Sequence, residues 1–160
     1  MTDILPYAPR HLAAVLEITR AAWSPVFPLM QEDIPRYVFE AFYPDGWLKR
    51  QLADVEAICL DEETDMWVAM TKGALSGFLG LRTHTEDSMG EIHIIAVDPT
   101  HQRRGVGAAL MTFAFAWMQK RGLAMAMVET GGDRGHAPAR AAYESAGFAR
   151  YPVARYFRKL

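Results

Sequence analysis

The sequence predicts a mixed α/β domain, and three observations carry that expectation. The first 60 residues hold apolar side chains at helical spacing, residues 66–97 hold three strand-like runs in close succession, and residues 89–129 alternate strand, helix and strand. Closely spaced strands form an antiparallel meander, whereas a strand–helix–strand unit needs a parallel pair and a right-handed crossover. The 160 residues suffice for a substantial core and are read as one domain over 1–160.

Each element follows from local pattern. Thr2–Tyr7 can form a short first strand, ended by Pro6 and Pro9. Leu12, Val15, Leu16, Thr19 and Ala22 recur at helical spacing as far as Trp23, after which Pro25 and Pro28 are expected to break the chain. Ile34–Tyr43 reads as a second helix and Pro44-Asp45-Gly46 as a turn. Trp47–Leu60 is a third helix with Leu48, Leu52, Val55, Ile58 and Cys59 on one side, followed by an acidic loop at 61–65. Strands are expected at 66–71, 74–83 and 89–97, joined at Lys72-Gly73 and around Glu86-Asp87. The helix from about Gly105 to Lys120 stops at Gly122 and is apolar nearly all round, so most of its surface is expected to be buried. Leu123–Glu129 is another buried strand. A glycine-rich loop (Gly131, Gly132, Gly135) leads to a helix over 138–145, and two closing strands are expected at 148–151 and 153–158.

Composition narrows the function. A net charge of −2 gives no case for nucleic acid or an anionic membrane as partner. No apolar run approaches the roughly 18 residues of a membrane helix. The N-terminus MTDILPYAPR lacks a basic region followed by an apolar core, and the one cysteine, Cys59, excludes an intrachain disulfide; both fit a cytoplasmic protein. His11, His84, His93, His101 and His136 show no metal-ligand spacing, so no metal is expected. Cys59 falls on an apolar helix side, and Ser76 lacks the glycine of a nucleophile elbow.

The informative stretch is Glu91–Ala116, a β-branched strand closed by Asp98-Pro99 and a helix opened by Gly105 and Gly107. Helix N-termini expose unpaired N–H groups and positive dipole charge, so a glycine-lined one suits phosphate. Arg103 and Arg104 stand at that end against the dipole; they either point into water or meet an anion. No Gly-Lys-Ser/Thr occurs, which excludes a P-loop, and Leu110 stands where a dinucleotide fingerprint needs its third glycine.

Gln102-Arg103-Arg104-Gly105-Val106-Gly107, directly after Val97-Asp98-Pro99, resembles the acetyl-CoA pyrophosphate loop of the GNAT acetyltransferase superfamily. The block His136–Phe148 resembles that superfamily's other signature, a helix carrying a Tyr shortly before Gly-Phe. Together they cover roughly residues 75–150. The resemblance implies a three-layer fold, a mostly antiparallel sheet flanked by helices, in which strands 89–97 and 123–129 splay to admit the pantetheine arm of acetyl-CoA. It implies that backbone amides of Gln102, Arg103, Arg104, Gly105, Val106, Gly107 and Ala108 anchor the donor. Main-chain groups of Ile95, Ala96 and Val97 would pair with pantetheine, with Ile95 N–H polarising the thioester carbonyl.

Acetyl transfer to an amine also needs a base and an acid. Glu91 stands where several family members hold a carboxylate base, and His93, expected on the same strand face as Glu91, Ile95 and Val97, could share the role. A solvated strand-start glutamate and a structural histidine are the plain alternatives. Tyr143, followed by Glu-Ser-Ala-Gly-Phe, matches the family's general acid for the departing thiolate. His136 stands seven residues earlier, where the family often has an Asn contacting pantetheine; Ala139 lies on the same helix. For the acceptor, Trp23, Phe27, Tyr37 and Trp47 could line a cleft with Glu129 near it, and Glu32, Asp33 and Asp45 could attract an ammonium group; core aromatics and surface carboxylates are the alternative. The expected activity is direct N-acetyl transfer from acetyl-CoA to a primary amine of a small molecule or a protein N-terminus, compatible with a homodimer. The rival is a non-catalytic acyl-CoA-binding or regulatory module.

Overall fold

A computed structural model describes residues 1–160. Five strands, β1 (Thr2–Pro6), β2 (Asp65–Thr71), β3 (Ala74–His84), β4 (Met89–Val97) and β5 (Met125–Val128), form one sheet in the order β1-β2-β3-β4-β5. The first four run antiparallel to their neighbours, and β5 joins β4 in parallel through the crossover helix α5 (Val106–Lys120). Helices α1 (Leu12–Trp23), α2 (Val26–Asp33), α3 (Arg36–Phe42) and α4 (Trp47–Leu60) precede β2, and α6 (Ala137–Ser145) follows β5. No helix is long and apolar enough to cross a membrane.

The sheet is a middle layer because its strands are apolar on both faces. On one face Leu79, Leu81 and Ile92 pack with Val106, Leu110, Met111, Ala114 and Trp117 of α5. On the other, Phe78, Val68 and Ala96 pack with Val15 and Ile18 of α1 and Val55 of α4. Fully burying side chains such as Phe78 and Leu110, both 0% exposed, contributes about 1.5–3 kcal/mol each. Gly77 in β3 is closed in by β4 and by α5. A Cβ on Gly77 would come 2.8 Å from the Ala96 carbonyl oxygen and 3.2 Å from Leu110 Cδ1.

The two sides of β4 differ. Its antiparallel pairing with β3 extends from Met89 to Val97, but its parallel pairing with β5 covers only Met89–Ile92 against Met125–Val128. From His93 onward the strands part, and that edge of β4 has no partner strand. The splay expected between the two strands is present.

Four expectations need correction. Pro25 and Pro28 do not break the chain; Pro25 is the N-cap of α2 and Pro28 its third residue, positions whose N–H groups have no helical partner to lose. The next helix starts at Arg36 rather than Ile34, because Pro35 is its N-cap and Ile34 is extended. Strand β5 is shorter than 123–129, since Leu123 N–H closes onto Met118 carbonyl in the turn that ends α5 at Gly122 (φ 71°). No strands form over 148–158: residues 149–160 are exposed and lie in no regular element, and Pro152 interrupts the run with a residue that cannot donate to a ladder.

Candidate active site

The segment between β4 and α5 is built to leave its amides free. Asp98 Oδ1 accepts from Thr100 N–H and Oγ1–H, each at 2.8 Å, and the Gln102 side-chain amide donates to Val97 carbonyl at 3.1 Å, tying the loop back to its strand. Positive φ at Arg103 (59°) and at Gly105 (87°), the N-cap of α5, curls the backbone inward. The first backbone bond onto this turn runs from Ala109 N–H to Gly105 carbonyl at 2.9 Å. Arg103, Arg104, Gly105, Val106, Gly107 and Ala108 therefore present consecutive amides with no partner within the chain. They surround the positive end of a 15-residue helix, where the dipole adds to their own polarity. Arg103 and Arg104 are exposed beside them and make no ion pair within the chain. A pyrophosphate fits this donor set; the side chain of Gln102, by contrast, serves the loop itself.

Strand β4 does not place Glu91, His93, Ile95 and Val97 on one face. The pairing with β3 shifts between Gly80↔Ile94 and Leu81↔Ile92, so His93 is an extra residue in a β-bulge. Ile92 and Ile95 consequently both face α5, with Val97, while Glu91 faces the opposite side with Ile94 and Ala96. The bulge corrects the simple alternation and sits where β4 leaves β5.

At the bulge, Glu91 gathers two imidazoles. His84 Nε2 lies 2.6 Å from Glu91 Oε2, and His93 Nδ1 lies 2.9 Å from Oε1. The glutamate side chain is 16% exposed, and burial alone would raise its pKa; the hydrogen bonds from His84 and His93 outweigh burial and hold it below the ordinary carboxylate range. His84 is shifted up, first by its hydrogen bond to Glu91.

Helix α6 carries the second signature. Tyr143 is half-buried against the α5-side core, edge-on to Phe148 with ring centroids 6.0 Å apart. Burial raises the pKa of its phenol, which keeps the proton on, and its hydroxyl has no hydrogen bond within the chain. His136, at the N-cap of α6, is held by Asp133, whose Oδ2 lies 2.7 Å from Nδ1 and whose Oδ1 accepts the His136 backbone N–H at 3.2 Å. Arg140 braces the same loop, donating to the carbonyls of Gly131 and Asp133 at 2.6 Å each.

A curled run of free amides before α5, a splayed β4–β5 pair and a tyrosine at the end of α6 form one constellation. The profile of the Acetyltransferase (GNAT) family matches residues 29–148, three quarters of the chain. The chain belongs to this family. A mycothiol acetyltransferase of Thermomonospora curvata is 32% identical over 108 residues, 68% of this chain and 35% of that protein. The chain thus spans about a third of the length of the curated relatives it matches. Among solved structures, the ribosomal-protein-S18-alanine N-acetyltransferase of Escherichia coli aligns with a TM-score of 0.68 at 23% identity, covering 95% of this chain and 80% of that one. The PaiA N-acetyltransferase of Thermoplasma acidophilum, in complex with coenzyme A, aligns with a TM-score of 0.70 at 15% identity, covering 96% and 93%. At these identities the structural likeness is one of fold.

The residues expected around the acceptor fare unevenly within this GNAT framework. Phe27 is 4% exposed and stacks on Trp47 at 4.5 Å, which makes the pair part of the packing between α2 and α4. Trp23 is half-buried against the α1-side core, and Glu129 is exposed just beyond β5. The three carboxylates read as ammonium attractors are already paired: Asp33 and Glu32 with Arg134, at 2.8 and 2.9 Å, and Asp45 with Lys49, at 3.0 Å. The two pairs with Arg134 pin α2 to the loop before α6. His84 and Asp133 hold Glu91 and His136 without being among the residues the sequence marks for the site. The turn at Glu86-Asp87 was the available signal for His84, because a tight hairpin there must bring residue 84 back beside 89–91.

Proposed function

We propose that the chain catalyses direct transfer of the acetyl group of acetyl-CoA to a primary amine in a ternary complex. The run of unpaired amides from Arg103 to Ala108 carries the reading, since it offers an anion six fixed donors at a helix N-terminus. The co-substrate supplies an activated carbonyl on a thiol leaving group; everything else falls to this chain. Main-chain groups of Ile95 and Val97 on the open edge of β4 would align the pantetheine arm, with Ile95 N–H as the donor to the carbonyl oxygen, whereas those of Ala96 turn toward β3. His136 and Ala139 would flank the arm from α6. The Glu91–His93 pair takes a proton from the acceptor ammonium, whose ordinary pKa near 10.4 leaves little free amine at neutral pH. Tyr143, protonated and half-buried, hands a proton to the leaving sulfur. The only thiol, Cys59, is pushed up in pKa by burial, which argues against a covalent acetyl-enzyme route.

The acceptor class is a primary amine. The names of the relatives, mycothiol acetyltransferase in one case and ribosomal-protein-S18-alanine N-acetyltransferase in another, span a small molecule and a protein. Calorimetry with acetyl-CoA, CoA and 3′-dephospho-CoA tests the loop, and thiol release over amino sugars, aminoglycosides, polyamines, amino acids and an alanine-initiated peptide tests the reaction. Absence of acetyl-CoA binding overturns the reading. Acetyl-CoA binding with no thiol release for any acceptor, in the parent as in a Tyr143→Phe variant, would replace it with the non-catalytic module; turnover that Tyr143→Phe leaves unchanged would remove Tyr143 as the acid.

A further inference from the structure

The carboxylate of Glu91 is bridged by imidazoles at both oxygens, His84 at Oε2 and His93 at Oε1. An ionised carboxylate can only accept hydrogen bonds. Both facing ring nitrogens must therefore carry protons, which fixes two tautomers at once. His93 is held as the Nδ1–H form with a lone pair on Nε2, and His84 donates through Nε2–H. The free histidine side chain favours the Nε2–H form, so His93 is in its less favoured tautomer because of Glu91.

Arg82 is the natural partner for Glu91, as the residue directly opposite in the β3–β4 register. Its guanidinium is turned away, donating to Asp61 Oδ2 at 2.7 Å and to Thr64 Oγ1 at 2.8 Å. Glu91 has no other side-chain donor than the two imidazoles. Of these, His84 comes from the neighbouring strand and makes the shorter bond. A carboxylate anchored at one oxygen by a second strand cannot swing about its last torsion, and that leaves Oε1 committed to His93.

We propose that His84 is a positioning residue: by holding Oε2 of Glu91 it keeps Oε1 on His93 Nδ1–H and so makes Nε2 of His93 the proton-accepting atom. The inference rests on the reading that the Glu91–His93 pair deprotonates the acceptor. The acceptor ammonium gives one proton to His93 Nε2. The freed lone pair forms the carbon–nitrogen bond, the carbon–sulfur bond breaks, and the sulfur takes the Tyr143 proton. The second proton on nitrogen restores Tyr143, and the His93 imidazolium returns its proton to water. The surroundings of His84 are predominantly acidic: Glu86 Oε1 is 4.0 Å from its Nδ1, Asp87 follows in the same turn, and Glu63 and Asp65 line, with Arg82 and Thr83, a recess of about 390 Å³ that opens beside it. This keeps the outer imidazole solvated and leaves the Glu91 side of the ring as its fixed contact.

The test pairs His84→Ala with His84→Gln, whose amide can still donate to Glu91. Long-range ¹H–¹⁵N NMR on histidine-labelled full-length protein reads the His93 tautomer with no acceptor present. The expected result is Nδ1–H in the parent and in His84→Gln, and Nε2–H in His84→Ala. With an amine found in the thiol-release panel, kcat should fall about 10–100-fold in His84→Ala, part of what a positioned base contributes. The KM for acetyl-CoA should hold in both variants, and His84→Gln should recover most of kcat. An Nε2–H His93 in the parent, or a His84→Ala protein with unchanged tautomer and kcat, overturns the proposal. So does a folded His84→Gln that is as impaired as His84→Ala, since His84 would then act by titration rather than by position. If the tautomers behave as expected but no amine is acetylated, the proposed reaction fails while the positioning role stands.

Discussion

The loop Gln102–Ala108 and the cluster around Glu91 are joined by one strand, β4, and they hold charge by different means. The loop offers backbone amides turned inward by positive φ at Arg103 and Gly105. Those donors have no pKa, keep their places whatever the pH, and tolerate almost any side chain outside the glycine positions. The cluster holds one carboxylate between two imidazoles, 2.6 and 2.9 Å away, all three of them titratable. Its chemistry depends on side-chain identity and on which atoms carry protons. A backbone-built site suits an anion that must be held unchanged, and a side-chain-built one suits a proton that must move.

Substitutions should separate the two. The largest effect is expected at the cluster's working atoms: His93→Ala or Glu91→Gln should lower kcat by about 10²–10⁴-fold while leaving the calorimetric Kd for acetyl-CoA within a few-fold of the parent. Equal losses in kcat and in acetyl-CoA affinity would erase the distinction. Gly105→Val reverses the pattern. A β-branched residue at φ 87° costs about 1–2 kcal/mol, so acetyl-CoA should bind roughly 10-fold more weakly, with the His93 tautomer unmoved.

Gly77→Ala probes the close approach of β4 and α5 to β3, because the new Cβ meets the Ala96 backbone carbonyl oxygen of β4 and the Leu110 side chain of α5. It should destabilise the fold by about 1–3 kcal/mol in urea unfolding. Removing both loop cations, Arg103→Ala with Arg104→Ala, should weaken acetyl-CoA only a few-fold at low salt and hardly at all near 1 M, where screening shortens the reach of exposed charges to about 3 Å.

The smallest effect is in pH dependence. His84 has a folded pKa above its ordinary 6.5, so its contribution to stability is complete below 6.5 and is lost as pH rises through the folded value. Glu91 has a folded pKa below its ordinary 4.5, so its contribution is present above 4.5 and is lost as pH falls through the folded value. The pair should therefore support the fold best between about 4.5 and 6.5, and the decline above 6.5 should flatten in His84→Gln. Thermal melts across pH 4–9 would show it; an unchanged upper limb in His84→Gln would place that titration elsewhere.

The loop and Tyr143 were legible because each is written in contiguous residues. Glycines at 105 and 107 behind a strand and a proline turn specify a local backbone path, and the Tyr-to-Gly-Phe spacing specifies a helix end. The cluster was legible only in part. Glu91 and His93 were visible as polar residues in an apolar strand, but strict alternation put them with Ile95 and Val97, and the bulge at His93 put them elsewhere. His84 itself carries no local signal, because its partner lies on another strand. The carboxylates of α2 looked free in sequence because their partner, Arg134, is 101 and 102 residues away.

What the sequence determined by itself was the order of elements, the apolar faces of β4 and α5, and the glycine-directed turn between them. These follow from periodicity and from the conformational range of single residues, which act over one or two turns of chain. The tertiary structure alone decided where β4 leaves β5, which way Glu91 faces, what became of Arg82, and the failure of residues 149–160 to form strands. Those outcomes depend on pairing register and on competition for hydrogen-bond partners between distant segments, and neither quantity is contained in any local window of the chain.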